Sequence, residues 1–308
     1  MPARMLLLLL SWWMALASAT AAETSQSAVA PSPLMTRIAP PSKSVIDVFI
    51  ESGMREVSTH ALTESERAKV NAALAALPDL HRRVLVKRLR YLSFLDGIPG
   101  DGTGLTSKVE NTDSFDMTLR ASIIDEPLSH FLTTKERRLF QLDGASQSLR
   151  VEATGADALT YVLLHEATHI VDISTGVTAD AGNRLVRGIW ASRRDLAQPW
   201  TASLAATTKF RGGGPIRMRM ADAIYAALAD TPFVSLYSTA AAPEDFAELV
   251  TWHELLRRRQ ATLTIEIYSA DGQLAKQYQP FTFPRVTERF AQLDEFLAKD
   301  AAKLVDAL

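Results

Sequence analysis

Cysteine is absent from the 308-residue chain, which excludes both disulfides and attachment of a lipid through a thiol. No twin arginine precedes the apolar stretch near the start, so twin-arginine export is not expected. Charge of one sign is also lacking. A formal net charge of −2 offers no basic surface to neutralise phosphates, which excludes a nucleic-acid partner. No internal repeat is present. Apart from Leu6–Leu10 and its flanks, long hydrophobic runs are missing, and that run is short for a membrane span, so no stable membrane insertion is expected.

What the start does contain is Arg4, the apolar run with Trp12, Trp13 and Met14, and then small residues through Ala22. A positive start, an apolar middle and a small-residue end predict a Sec-type signal peptide over 1–22 and a periplasmic or secreted protein. Residues 23–44, rich in Ser, Ala and Pro, read as a flexible spacer. With 47% hydrophobic residues, the sequence has enough apolar material for one domain over 45–308 without staples.

Within that domain, Thr63-Glu-Ser-Glu66 predicts a capping box opening a helix to about Leu77, and Pro78 starts another carrying Leu80, Val84, Leu85, Leu89 and Leu92. The alternation over Phe115–Ala121 predicts a strand that could lie beside the helix expected over about 158–173 and pair with an extended peptide. A hairpin is expected over 262–283 and an amphipathic helix over Val286–Leu308.

The chemistry is concentrated in His165-Glu166-Ala167-Thr168-His169. In a helix, positions i and i+4 share a face, so two imidazoles can converge on one ion at about 2.0–2.1 Å each. Glu166 is turned by about 100° from His165, which sets its carboxylate beside a water rather than on the metal. Thr154-Gly-Ala-Asp157 reads as a capping-box-like start, and Leu159, Val162, Leu163, Leu164, Ile170 and Ile173 give the apolar spacing of a buried helix.

A catalytic zinc needs a third protein ligand. Glu244-Asp245-Phe246-Ala247-Glu248 opens a second helix with Pro243 in its first turn. Glu244 and Glu248 share a face, so one can bind metal while the other accepts the outward N–H of a ligating imidazole.

These segments resemble the lethal-factor-like zinc metallopeptidases, which include the Pro-Pro endopeptidases. In that family an HExxH helix is followed by a Tyr and, seven residues on, by a Glu in a Glu-x-Phe-Ala-Glu-like run. Here Tyr237 stands seven residues before Glu244. The resemblance implies one zinc ion held by His165, His169 and Glu244, with Glu166 as base, Tyr237 assisting at the scissile carbonyl and Glu248 supporting a ligand. It also implies an α+β fold, mostly helical and zincin-like, with a small β-sheet beside the active-site helix. The segment from His169 to Tyr237 is longer than in minimal members, and its 186–215 portion could wall the cleft.

Asp172 is read as local structure at the helix end, outside the ligand set. The glycines over 97–104 lack the Gly-Lys-Ser/Thr of a phosphate loop and the spaced acids of a calcium loop, and read as a surface loop. His253-Glu254 has Arg257 where a second His would stand, and reads as helix surface. His60, His81 and His130 have no local ligand partner. The expected activity is hydrolysis of a peptide or protein substrate. The rival readings are a zinc-binding protein with a closed, non-catalytic site and an exported interaction module whose histidines are core residues.

Overall fold

The computed structural model describes residues 30–142 and 147–299. The expected signal at 1–22, the first part of the expected spacer and the last nine positions of the expected final helix lie outside the described residues.

The spacer reading does not hold from Pro31 onward. Pro33–Arg37 form a 3-10 turn capped by Ser32, Leu34 is fully buried, and Ile38 bridges to Leu92. Helix α1 (Lys43–Glu51) follows, with Val45 and Phe49 turned inward. These few apolar residues, spaced among the prolines, suffice to dock the segment.

A four-stranded mixed sheet comes next, built from β1 (Arg55–Thr59), β2 (Leu89–Ile98), β3 (Gly104–Lys108) and β4 (Phe115–Arg120) in the order β1-β2-β4-β3. The β2–β4 pair is parallel and the other two are antiparallel. Between β1 and β2 lie α2 (Glu64–Ala76) and α3 (Asp79–Arg88). Thr63 and Glu66 form the expected reciprocal cap of α2.

Two expectations are corrected here. Leu89 and Leu92 belong to β2 and not to the preceding helix, which ends at Arg88 where Leu89 turns extended (φ −74°, ψ 119°). The strand at Phe115–Arg120 is β4, which is paired on both sides, so it offers no edge to a peptide. The outer edge on that side belongs to β3, a short polar strand that the sequence pattern does not announce.

The second half contains α4 (Leu128–Arg137), β5 (Phe140–Gln141), β6 (Ser148–Ala153), α5 (Ala158–Thr175), β7 (Ile216–Arg217), α6 (Ala221–Ala229), α7 (Ala242–Arg259), β8 (Leu263–Tyr268), β9 (Leu274–Tyr278) and α8 (Pro284–Lys299). Strands β6, β8 and β9 form an antiparallel sheet that includes the expected hairpin, and β5 pairs in parallel with β7. The fold is α+β, with the four-stranded sheet lying beside α5 through β3.

Helix α5 runs through the core. Asp157 caps it, accepting the N–H of Thr160 at 2.7 Å, so the cap is Asp157 and not Thr154. Gly176 ends it at φ +72°, a left-handed position that suits glycine. Residues Ala158–Thr168 are buried on every side, packed against α7, α3, α2 and β3, whereas Ile173, expected inside, is 46% exposed. A helix apolar all round is stable only when covered all round.

Near α5 lies a buried carboxyl with a pH consequence. Glu136 accepts a hydrogen bond from the Tyr225 hydroxyl at 2.5 Å, and burial, opposed by that bond and by the Lys135 charge, pushes its pKa up to about 7. The folded chain therefore keeps this proton over a range in which the unfolded chain, at about 4.5, has lost it. Its contribution to stability is full below about pH 4.5 and is lost as pH rises to about 7, by on the order of 3 kcal/mol. Glu136→Gln keeps the acceptor without the titration. Denaturant melts should show the variant close to wild type at pH 4.5 and more stable at pH 8; an equal difference at both pH values would contradict this account.

Candidate metal centre

His165 and His169, one turn apart on α5, present ring centroids 4.9 Å apart in an edge-to-face arrangement. Helix α7 packs across them and brings Glu244 in from its first turn, where Pro243 needs no N–H partner and the carboxylates face the positive end of the helix dipole. Glu244 Oε2 lies 3.2 Å from His165 Nε2 and 3.4 Å from His169 Nε2. Three donors at about 2.0–2.1 Å from one tetrahedral ion stand about 3.3 Å from each other. The two distances to Glu244 fit that edge.

Glu166 also comes close, with donor atoms of His165, Glu166 and His169 all within 4.8 Å of one another. Its carboxylate is engaged elsewhere, because the Thr106 hydroxyl on β3 donates to Oε2 at 2.7 Å. Glu244 is the acid within 3.4 Å of both imidazoles, and Glu166 stands beside them.

His165 is caught between two carboxylates. Its Nδ1 is 3.2 Å from Glu248 Oε1 on α7, while Nε2 faces Glu244. A neutral imidazole has one donor and one lone pair, so two facing acceptors call for either a second proton or a cation at Nε2. Burial works against the charged ring, but the hydrogen bonds and charges of Glu244 and Glu248 prevail and push the pKa up to about 9. For Glu244, burial raises the pKa, yet the two histidines hold it well below the usual carboxylate range. The set is one carboxylate and two imidazoles sharing a place for one positive charge.

Glu248 is 1% exposed and fully engaged. It accepts hydrogen bonds from Tyr161 and, on Oε2, from Ser235 Oγ at 2.7 Å and Trp252 Nε1 at 3.3 Å. Burial raises its pKa, but the Lys135 charge and the His165 contact bring it down to about 2. Glu248 thus stays ionised 3.2 Å from His165 Nδ1, a charge contact that lacks hydrogen-bond alignment. None of Tyr161, Ser235, Trp252 and Lys135 was singled out from the sequence, although Tyr161, four positions before His165, carried the helical spacing that could have pointed to it.

Tyr237 lies in a 3-10 turn just before α7, its ring 5.8 Å from that of His165. Burial, reinforced by Glu244, raises its pKa well above the ordinary phenol value, so the hydroxyl remains a donor. Lys135 Nζ sits 3.7 Å over the ring, and Phe210 packs edge-on at 5.0 Å. Phe210 comes from the long 186–215 segment, which therefore does wall the cleft. Lys209 beside it pairs with Asp101 of the glycine-rich loop at 2.8 Å.

That loop is not merely surface. A Cβ on Gly104 would fall 2.6 Å from Glu166 Oε1, so only glycine lets β3 approach the carboxylate this closely. His253 and Glu254, expected on a helix surface, are buried, with His253 Nε2 2.8 Å from Asp294 Oδ1 on α8. The amphipathic reading failed there because α7 is covered on nearly all sides. Asp172 accepts from the Thr178 amide at 2.8 Å and its hydroxyl at 2.5 Å, a local role as expected. His81, buried, pairs with Thr168 at 2.9 Å, and neither His60 nor His130 joins the metal set.

Behind Glu244, the next residue anchors the turn. Arg289 of α8 makes a two-pronged contact with Asp245 at 2.7 and 3.0 Å and also donates to the carbonyls of Pro232 and Leu185. Trp190 Nε1 donates to the same carboxylate at 2.9 Å.

Among the described residues no helix is long and apolar enough to cross a membrane. No family model, curated protein or solved structure matches the chain.

Proposed function

We propose that the protein is a zinc-dependent peptide hydrolase of the lethal-factor-like type, with a zincin-like arrangement of HExxH helix and edge strand. The observation that carries this reading is the Glu244 oxygen at 3.2 and 3.4 Å from the two imidazole nitrogens, separations that suit donors sharing one zinc ion. Zinc, when bound, supplies the acidification of a water and the polarisation of a carbonyl.

The chain's own groups do the rest. His165, His169 and Glu244 would hold the ion, and Glu248, 3.2 Å from His165 Nδ1, would balance its charge from behind the ring. Glu166, oriented by Thr106, takes the proton of the attacking water and returns it to the leaving amine. Tyr237 donates its hydroxyl proton in a hydrogen bond toward the carbonyl oxygen as negative charge develops there. The edge of β3, which no other strand pairs among the described residues, would offer backbone groups to an extended peptide, with Gly104 lining the cleft.

The rival closed zinc site would need a fourth protein ligand. The nearest acid, Glu166, borders a cavity of about 300 Å³ and is held by Thr106, an arrangement suited to a water-side base. Elemental analysis at neutral pH should find one zinc per chain, and a peptide-library digest should give products that chelator abolishes. A folded protein without stoichiometric zinc would return the histidines to the core.

Tyr237→Phe tests the carbonyl assignment. Losing one well-placed donor should lower kcat by ~10²–10³-fold with zinc content and KM little changed. An unchanged kcat would remove Tyr237 from the reaction.

A further inference from the structure

The cavity beside the metal centre has a charge pattern that the hydrolytic chemistry does not require. Besides His165, Glu166 and Tyr237, it is lined by four cations, Arg120, Lys135, Arg138 and Lys209, and by only two other carboxylates, Asp101 and Glu126. Two of the cations have their partners. Lys209 pairs with Asp101 at 2.8 Å, and Arg138 lies 3.6 Å from the same carboxylate and donates to the Gly100 carbonyl at 2.8 Å.

Arg120 and Lys135 are under-served. The Arg120 side chain, at the end of β4, is 7% exposed; its Nη2 reaches Glu126 at 2.8 Å, but its buried Nε has no acceptor. Glu126 is itself shared with His130 at 2.9 Å. Lys135, on α4, has a side chain 22% exposed, and its nearest carboxylate oxygen is Glu248 Oε1 at 4.0 Å, already taken by Tyr161 and beyond hydrogen-bond reach. Its other contact is the face of Tyr237. A buried donor left idle, as Arg120 Nε is, costs free energy that an entering acceptor would recover, and the half-buried Lys135 ammonium of the same cavity has no carboxylate within hydrogen-bond reach.

We propose, on the basis of the hydrolase reading, that this cavity receives a carboxylate of the peptide substrate between Lys135 and Arg120. The hydrolase then selects peptides with an acidic group next to the scissile bond. Phe131 and Val162 supply apolar wall for the methylenes that carry the carboxylate, and the volume of about 300 Å³ accommodates a side chain. The carboxylate would come either from an Asp or Glu side chain or from a free C-terminus. Since Lys135 also lies over Tyr237, an acidic group seated there would be held against the same side of the cleft as the reacting carbonyl.

The test uses paired peptides that differ only in Glu or Gln at each position around the cleaved bond, each with a free or an amidated C-terminus. Wild-type enzyme should favour Glu over Gln by about 10- to 100-fold in kcat/KM at one position, the effect expected of a charge-assisted hydrogen bond. If amidation rather than the side chain changes the rate, the C-terminal carboxylate is the source. Lys135→Met should collapse the Glu/Gln ratio toward one whatever it does to the overall rate, and Lys135→Glu should turn the preference toward basic peptides.

Binding to zinc-loaded Glu166→Gln, read by fluorescence anisotropy, should show the same Glu preference without turnover. Cleavage with a ratio of one at every position and no effect of amidation overturns the carboxylate pocket and leaves the hydrolase intact. Absence of any cleavage together with Glu-selective binding to the Glu166→Gln protein sinks the hydrolase reading while the pocket stands.

Discussion

Glu166→Gln is expected to cut turnover by ~10²–10⁴-fold while one zinc per chain stays bound. The substitution is close to isosteric, which matters because Gly104 leaves no room for a larger group and Thr106 still finds an oxygen to donate to. The amide cannot accept the proton, so the loss should fall on kcat and hardly on KM. Zinc content, melting temperature and peptide affinity serve as controls in the same preparation. Turnover equal to wild type would mean that Glu166 is not the base, however well the metal is held.

The second large effect belongs to Glu244→Ala. Removing the oxygen that lies within 3.4 Å of both imidazoles leaves two neutral ligands on one helix. Losing a supporting hydrogen bond at a zinc site costs ~10–100-fold in metal affinity, and losing a ligand should exceed that. Purified variant should carry substoichiometric zinc and lack activity. Wild type should gain about 2.7 kcal/mol of stability at zinc a hundredfold above its dissociation constant, and the variant none under the same conditions. The fold itself should survive, because Asp245 and Pro243 keep the start of α7 in place. A variant that still binds one zinc with wild-type affinity would transfer the ligand role to Glu166.

The candidate site is the more legible part because the chemistry proposed for it is local. HExxH needs only the helical repeat to place two imidazoles and a base, and Glu244 and Glu248 announce themselves through a proline-started helix. The rest of the site depends on contacts between segments far apart in the chain. Thr106 reaches Glu166 from an edge strand too short and polar to show alternation, and Lys135 meets Tyr237 across about a hundred residues. Strand β2 was absorbed into the preceding helix because Leu89 and Leu92 fit either period, and only the extended turn at Leu89 decides. His253 looked like surface because nothing local tells that α8 will cover it. The α+β class came with the family resemblance; the pairing order of the strands did not.

The contact between Arg289 and Asp245 sets a schedule for the molecule. Glu244 is steadied by its neighbour's grip on Arg289 of α8, 44 positions further along the chain, so a nascent polypeptide already long enough to contain His165, His169 and Glu244 still lacks the latch. The two imidazoles and the acid would therefore be brought into firm register only once α8 has been made and folded back onto the start of α7.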